Sequence, residues 1–294
     1  MTKKILGTGV ALVTPFDKRL DVDFQGLQKL LAHIADSKVR YLVVHGTTGE
    51  AATTTAEEKK SILSFIQTHN TNELPIVYGM GGNNTHEVIS TIKKTNWEGI
   101  DAVLSISPWY NKPSQAGIYQ HYIAVADACP VPILLYNIPT RTGTNITATT
   151  TLQLSEHPNI VGIKEASGNL IQCMEIAKSK RDNFLIIAGE DILTLPMMAV
   201  GAVGTISSVA NGFPKTTCQV VDLALQGHNV AAKHQTLALL PISQLISQAG
   251  NPGGTKQMLT VLGICKNYVR PPLAPAPSSL IQELQAAILT QRQP

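Results

Sequence analysis

Ile160-Val161-Gly162-Ile163-Lys164-Glu165-Ala166-Ser167-Gly168 is a short apolar run that ends on a lysine and breaks at once into polar, turn-forming residues. A run of this length, rich in β-branched side chains, fits a strand buried on both faces, the kind found in parallel sheets. Similar runs recur along the chain, and they predict strands at 10–13, 41–44, 76–78, 102–106, 133–136, 161–164, 185–188 and 203–207. Between them lie amphipathic stretches that predict helices, among them 24–37, 55–69, 85–96, 115–128 and 169–179. Phe24, Leu27, Leu30, Leu31 and Ile34 recur at helical spacing, which gives the first helix one apolar stripe. Thr55 followed by Glu58 has the spacing of a capping box.

Strands that each precede a helix require parallel pairing with right-handed crossovers. Eight such units of about 20–35 residues predict an α/β protein, a closed (β/α)8 barrel of the TIM type. The barrel is expected over residues 1–228, and a C-terminal helical extension over residues 229–294, with helices at 228–249, 255–265 and 278–291. An open doubly wound sheet is the competing architecture. It normally carries a glycine-rich phosphate turn after its first strand, and no such turn follows residue 13.

The bulk composition narrows the function. The 294 residues are 44% hydrophobic and 15% charged, with a net charge of +3, which describes a globular protein with an apolar interior. No lysine- or arginine-rich run offers a nucleic-acid surface. The N-terminal segment resembles a signal peptide only superficially, since Gly7, Gly9 and Pro15 interrupt it. The long uncharged stretch 192–209 is broken by Pro196, Gly201 and Gly204 into a helix and a strand, so no membrane span is expected. Cys129, Cys173, Cys218 and Cys265 are widely separated and read as reduced core residues, as in the cytoplasm. Neither they nor the eight histidines have metal-ligand spacing, so no metal is expected. His45 reads as a packed strand histidine, and most of the others as helix-surface or loop residues.

In a barrel of this kind the reacting groups sit at and just beyond the C-terminal strand ends. Thr47-Thr48 follow strand two, Trp109-Tyr110 follow strand four, Tyr136 ends strand five with Arg141 in its loop, and Lys164 ends strand six. Burial disfavours the ammonium form of a lysine and leaves more free amine, the nucleophile that attacks a ketone carbon. Each of these residues also has a plain structural use. A lysine can lie along the surface, a tyrosine can pack in the core, and threonines can cap a turn. Their convergence on one rim is what favours chemistry.

Three segments carry a family resemblance: Gly46-Thr47-Thr48-Gly49-Glu50, the Tyr136–Gly143 segment YNIPTRTG, and the Gly162–Asn169 segment GIKEASGN. In this order, on these strands, the chain resembles the pyruvate-dependent Schiff-base class I aldolases (the N-acetylneuraminate lyase superfamily) and, within them, the dihydrodipicolinate synthases. The resemblance runs from about residue 7 to residue 227 and is weaker beyond. It implies that Lys164 forms an imine with pyruvate and that the enamine derived from it attacks aspartate semialdehyde. It casts Tyr136 as proton shuttle, with Thr48 and Tyr110 as the other members of the relay. It also implies that Tyr110 reaches a neighbouring subunit's site, in a homodimer or homotetramer. Thr47 and Thr48 match contacts to the pyruvate carboxylate, Arg141 matches the contact to the aldehyde's carboxylate, and the backbones of Gly189 and Ile206 match the pyruvate pocket. No cofactor is implied, because the imine itself is the electron sink.

Sialic-acid lyases typically carry Ser-Thr in place of Thr47-Thr48 and lack Arg141, which favours the synthases. A non-catalytic binding barrel would be expected to have lost the lysine or the tyrosine. Asn83, Glu87 and Trp109 match positions of a lysine-binding allosteric cleft. Two histidine positions of lysine-sensitive members are Ala56 and Lys59 here, and a cation facing a cationic ligand predicts weak or absent lysine inhibition. The segment Asn251-Pro252-Gly253-Gly254-Thr255-Lys256 departs from the usual family pattern, and its two glycines predict a more flexible copy.

Overall fold

The apolar runs become eight strands, which the computed structural model, describing residues 5–291, arranges in sequence order around a closed barrel. They are β1 (Gly7–Ala11), β2 (Tyr41–Val44), β3 (Ile76–Gly81), β4 (Ala102–Ile106), β5 (Ile133–Asn137), β6 (Ile160–Glu165), β7 (Leu185–Ala188) and β8 (Gly204–Ser207). Pairing is parallel from β1 to β2 and from β3 through β8. The expected (β/α)8 architecture is therefore the observed one.

Helices follow as α1 (Phe24–Ala35), α2 (Ala56–His69), α3 (Thr85–Lys94), α4 (Gln115–Ala128), α5 (Pro139–Thr142), α6 (Ala148–Ser155), α7 (Leu170–Ser179), α8 (Thr194–Ala199) and α9 (Pro214–Leu225). The C-terminal region adds α10 (Asn229–Gln248), α11 (Gly253–Val261) and α12 (Ser279–Gln291). Among the described residues no helix is long and apolar enough to cross a membrane.

Two compact units divide the chain. Pro75–Ile206 is the body of one, and Gly7–Leu74 with the segment from Ser207 onward forms the other. In the first, Ile92 of α3, Ile118 and Tyr122 of α4, and Ile176 of α7 pack in one buried cluster with Ile133 and Ile163 of the strands. In the second, Leu27, Leu30, Leu31 and Ile34 are the buried stripe of α1, as their spacing predicts. Each such side chain contributes roughly 1.5–3 kcal/mol when fully buried. Thr55 caps α2, and the reciprocal Thr55–Glu58 capping box is formed. A further cluster in this unit joins α10, α11 and α12 through Ile242, Ile246, Met258 and Leu284.

The departures from expectation have local causes. β1 lies earlier than 10–13: the Leu12 N–H still donates to the Val43 carbonyl at 3.0 Å, but the Val13 N–H donates to the side chain of Asn211, Oδ1 at 3.1 Å, and not to a strand. Glycines extend β3 to Gly81, where a Cβ would meet the Ile106 side chain at 2.4 Å. The helix expected between β5 and β6 is α6, which Thr147 caps and whose Thr150 and Thr151 are buried. Gly253 and Gly254 do not form a flexible loop. They open α11, and a Cβ on Gly254 would lie 2.2 Å from the Ile246 carbonyl oxygen. The glycines let two helix backbones approach closely, which is the opposite of the flexibility expected from them.

Candidate active site

Lys164 and Tyr136 are register partners on the paired strands β6 and β5. Side chains alternate between the two faces of a strand, so residues in register point the same way. Both are buried, and Lys164 Nζ stands 4.3 Å from the centroid of the Tyr136 ring. The lysine amine thus lies against an aromatic face, an arrangement that also suits a cation.

The neighbouring Glu165, of opposite alternation, is also buried. Its carboxylate is enclosed by donors: Asn137 Nδ2 at 3.0 Å, Gln172 Nε2 at 2.9 Å and the Ser167 N–H at 2.7 Å. Asn145 extends the network, accepting from Asn137 at 2.7 Å and donating to Gln172 Oε1 at 2.8 Å. The ends of β5 and β6 are therefore locked together on the face away from Lys164. Sequence reading missed this polar core. The adjacency of Lys164 and Glu165 was its only visible trace.

Gly189 follows β7, and its N–H donates to the Glu165 carbonyl at 2.8 Å. A Cβ there would lie 2.6 Å from Ala166 Cβ and 3.1 Å from Lys164 Cε. The missing side chain is the space in which the lysine stem runs. Glu190, next in sequence, is partly buried, and burial raises its carboxyl above the ordinary range with Asp191 adding to the effect. The positive charges of Lys164 and Arg141 oppose that rise, so these groups share one electrostatic neighbourhood. Arg141 is exposed on α5, whose turn ends at Gly143 in the left-handed region with φ 74°. Ile206 is buried in β8.

Tyr110 is not gathered with Lys164 and Tyr136. It follows β4 with its side chain 86% exposed and its backbone at φ 72°, a strained conformation for an aromatic residue. Trp109 beside it is also exposed. Asn83 and Glu87 are exposed at the start of α3, where Asn84 provides the cap and Asn83 Nδ2 donates to the Trp109 carbonyl at 3.4 Å. His121 is buried on α4 with Nδ1 2.9 Å from Thr85 Oγ1. Its pKa is lowered to about 4 by that burial.

In the other unit, Thr47 is half-buried and Thr48 buried, in the turn after β2. Thr48 Oγ1 accepts from Asn251 Nδ2 at 2.9 Å. The turn continues into Glu50, at φ 55° and excluded from solvent. Glu50 Oε1 accepts from Lys256 Nζ at 2.5 Å, and Oε2 accepts from the Arg270 N–H at 3.0 Å. Arg270 in turn forks onto the Glu58 carboxylate and holds its pKa down to about 2. Lys256 and Arg270 both stand over the Phe16 ring, at 4.1 and 4.3 Å. None of Asn251, Lys256 and Arg270 was picked out as an anchor of the Thr47–Glu50 turn from sequence. Separations of about 200 residues leave no local signal.

Comparison with known proteins agrees with this geometry. A family model described as the dihydrodipicolinate synthetase family matches residues 4–291. A 4-hydroxy-tetrahydrodipicolinate synthase of Cytophaga hutchinsonii is 45% identical over 96% of this chain and 95% of its own length. The crystal structure of dihydrodipicolinate synthase from Aquifex aeolicus superposes with a TM-score of 0.92 at 34% identity, covering 97% of this chain and 98% of that one. A structure described as the first monomeric dihydrodipicolinate synthase variant gives 0.95 at 29% identity, covering 99% and 98%.

Proposed function

The chain belongs to the dihydrodipicolinate synthetase family, and from that premise we propose that it condenses pyruvate with L-aspartate 4-semialdehyde to 4-hydroxy-tetrahydrodipicolinate, the committed step of lysine and diaminopimelate biosynthesis. The observation that carries the reading is the buried Lys164 amine 4.3 Å from the Tyr136 ring on the neighbouring strand.

The Lys164 amine attacks the keto carbon of pyruvate, and loss of water gives a protonated imine. That imine draws electrons from the adjacent methyl group, which then gives up a proton to become an enamine. The enamine carbon attacks the aldehyde, and the amine of aspartate semialdehyde then closes the ring and expels Lys164. Tyr136, whose ring the lysine amine faces at 4.3 Å, is assigned the proton transfers, with the Thr48 and Tyr110 hydroxyls as relay. Thr47 and Thr48 are assigned to the pyruvate carboxylate, with the backbones of Gly189 and Ile206 lining its pocket. Arg141 is assigned to the carboxylate of the aldehyde, for which a guanidinium is the geometric match. The imine nitrogen supplies the electron sink, so the chemistry as written calls for no cofactor.

The exposure and backbone strain of Tyr110 support a role in contact with another copy of the chain, as a homodimer or homotetramer. The buried thiols of Cys129, Cys173, Cys218 and Cys265 support a cytoplasmic setting. Lysine feedback through Asn83, Glu87 and Trp109 is expected to be weak or absent, and a low-micromolar inhibition constant would contradict that.

The reaction is tested by borohydride reduction in the presence of pyruvate, followed by peptide mass analysis, and by turnover of aspartate semialdehyde against sugar aldehydes. A permanent mass increment on the Lys164 peptide and preference for aspartate semialdehyde are expected. An unmodified peptide in folded protein, or faster turnover of a sugar aldehyde, overturns the assignment.

A further inference from the structure

Thr48 is buried, and among the described residues its hydroxyl has a single hydrogen-bond partner, the Asn251 amide nitrogen at 2.9 Å. A hydroxyl carries one proton and two acceptor lone pairs. The amide N–H fills one lone pair, so the Thr48 proton points elsewhere and is left to be donated. The amide is oriented from its other end, where Asn251 Oδ1 accepts from Thr255 Oγ1 at 3.2 Å, and Thr255 is fully buried. Six residues along the chain from Thr255 back to Asn251 and on to Lys256 thus form one block. Its second tether to the same turn is the buried Lys256–Glu50 ion pair. Gly254 seats the block against the α10 backbone, where any larger residue would clash.

We propose that Asn251 is a positioning residue for this reaction. It acts through Thr48, fixing that hydroxyl as a hydrogen-bond donor towards bound pyruvate. The inference rests on the synthase reading, in which Thr48 serves pyruvate, and it assigns to Asn251 a part in the first half-reaction, before the aldehyde arrives. A hydroxyl held in this way meets the negatively charged keto acid without having to reorient, the advantage of a preorganised donor.

The half-reaction isolates the effect. Without aspartate semialdehyde, the imine–enamine equilibrium exchanges the pyruvate methyl protons with deuterated solvent, which is followed by NMR. Asn251→Ala is expected to slow exchange roughly 10- to 100-fold, the range for one hydrogen bond to a charged group. Asn251→Asp is expected to slow it further, because a carboxylate at that place accepts the Thr48 proton instead of filling its lone pair. In a Thr48→Val background, Asn251→Ala should cost nothing more. Should the Asn251 variants fold poorly, Thr255→Val, which removes the hydroxyl that donates to Asn251 Oδ1, should slow exchange several-fold and lose that effect in the same background.

Undiminished exchange in folded Asn251→Ala, with only the KM for aspartate semialdehyde raised, overturns the inference and assigns Asn251 to the aldehyde. Full additivity with Thr48→Val overturns it as well. Absence of exchange and of trapped Lys164 in the wild-type protein overturns instead the synthase reading on which the inference rests.

Discussion

Lys256 and Glu50 stand 206 positions apart in sequence and 2.5 Å apart in space, and neither side chain is exposed to solvent. Burial lowers the Lys256 pKa, and the Glu50 carboxylate opposes the shift. Two charges taken out of water tolerate each other far better than either tolerates being alone. Lys256→Met is therefore expected to destabilise the fold by about 3–5 kcal/mol, and Lys256→Met with Glu50→Gln to recover much of the loss. Urea unfolding of the single and double variants measures both. A double variant as unstable as the single one would show that the ion pair is not the cause.

Tyr136→Phe keeps the ring that faces Lys164 and removes only the hydroxyl. The proton transfers assigned to it then predict a fall in kcat of about 10²–10⁴-fold with little change in stability. Steady-state kinetics beside a thermal melt separate the two effects.

Arg141→Ala should raise the KM for aspartate semialdehyde and lower kcat/KM roughly 10- to 100-fold, the range expected for losing charge-assisted hydrogen bonds to a carboxylate. Pyruvate methyl exchange, which needs no aldehyde, should be unaffected. Arg141→Lys should recover little, since an ammonium cannot reproduce the guanidinium fork.

Gly189→Ala places a methyl 2.6 Å from Ala166 Cβ, 2.9 Å from the Glu165 carbonyl oxygen and 3.1 Å from Lys164 Cε. Overpacking of this kind costs about 1–3 kcal/mol. It should also displace the lysine stem, so borohydride trapping should fall even where the protein remains folded.

Burial lowers the pKa of both His45 and His121 from the ordinary imidazole value of about 6.5 to about 4. Their folded pKa values lie below the unfolded ones, so the unfolded chain binds more protons between pH 6.5 and 4. Their contribution is fully present above about pH 6.5 and is lost as pH falls towards 4. Roughly 3 kcal/mol per histidine is at stake. Unfolding free energies measured at pH 7, 5.5 and 4.5 should show this slope, and His121→Gln should flatten it.

The barrel was legible because its strands are short, apolar and regularly interrupted, and because Thr55–Glu58 and the α1 stripe carry their signals within a few residues. Polar helices were harder to see. The threonines of α6 give it no clear apolar stripe in the sequence, and only the burial of Thr150 and Thr151 shows which face turns inward. The glycines at 253 and 254 were misread for a related reason, since only the neighbouring α10 backbone reveals that their lack of a side chain permits contact.

By itself the sequence determined the order of strands and helices, the residue types at the strand ends, and through its motifs the family. Those properties depend on periodicity and on short spacings, which survive in a linear text. Tertiary structure alone decided that Tyr136 and Lys164 share a register, that Gly189 makes room for the lysine, and that Asn251 and Lys256 secure a turn about 200 residues earlier. Such pairings follow from how strands and helices pack, and packing brings together residues that carry no mark of one another in the chain.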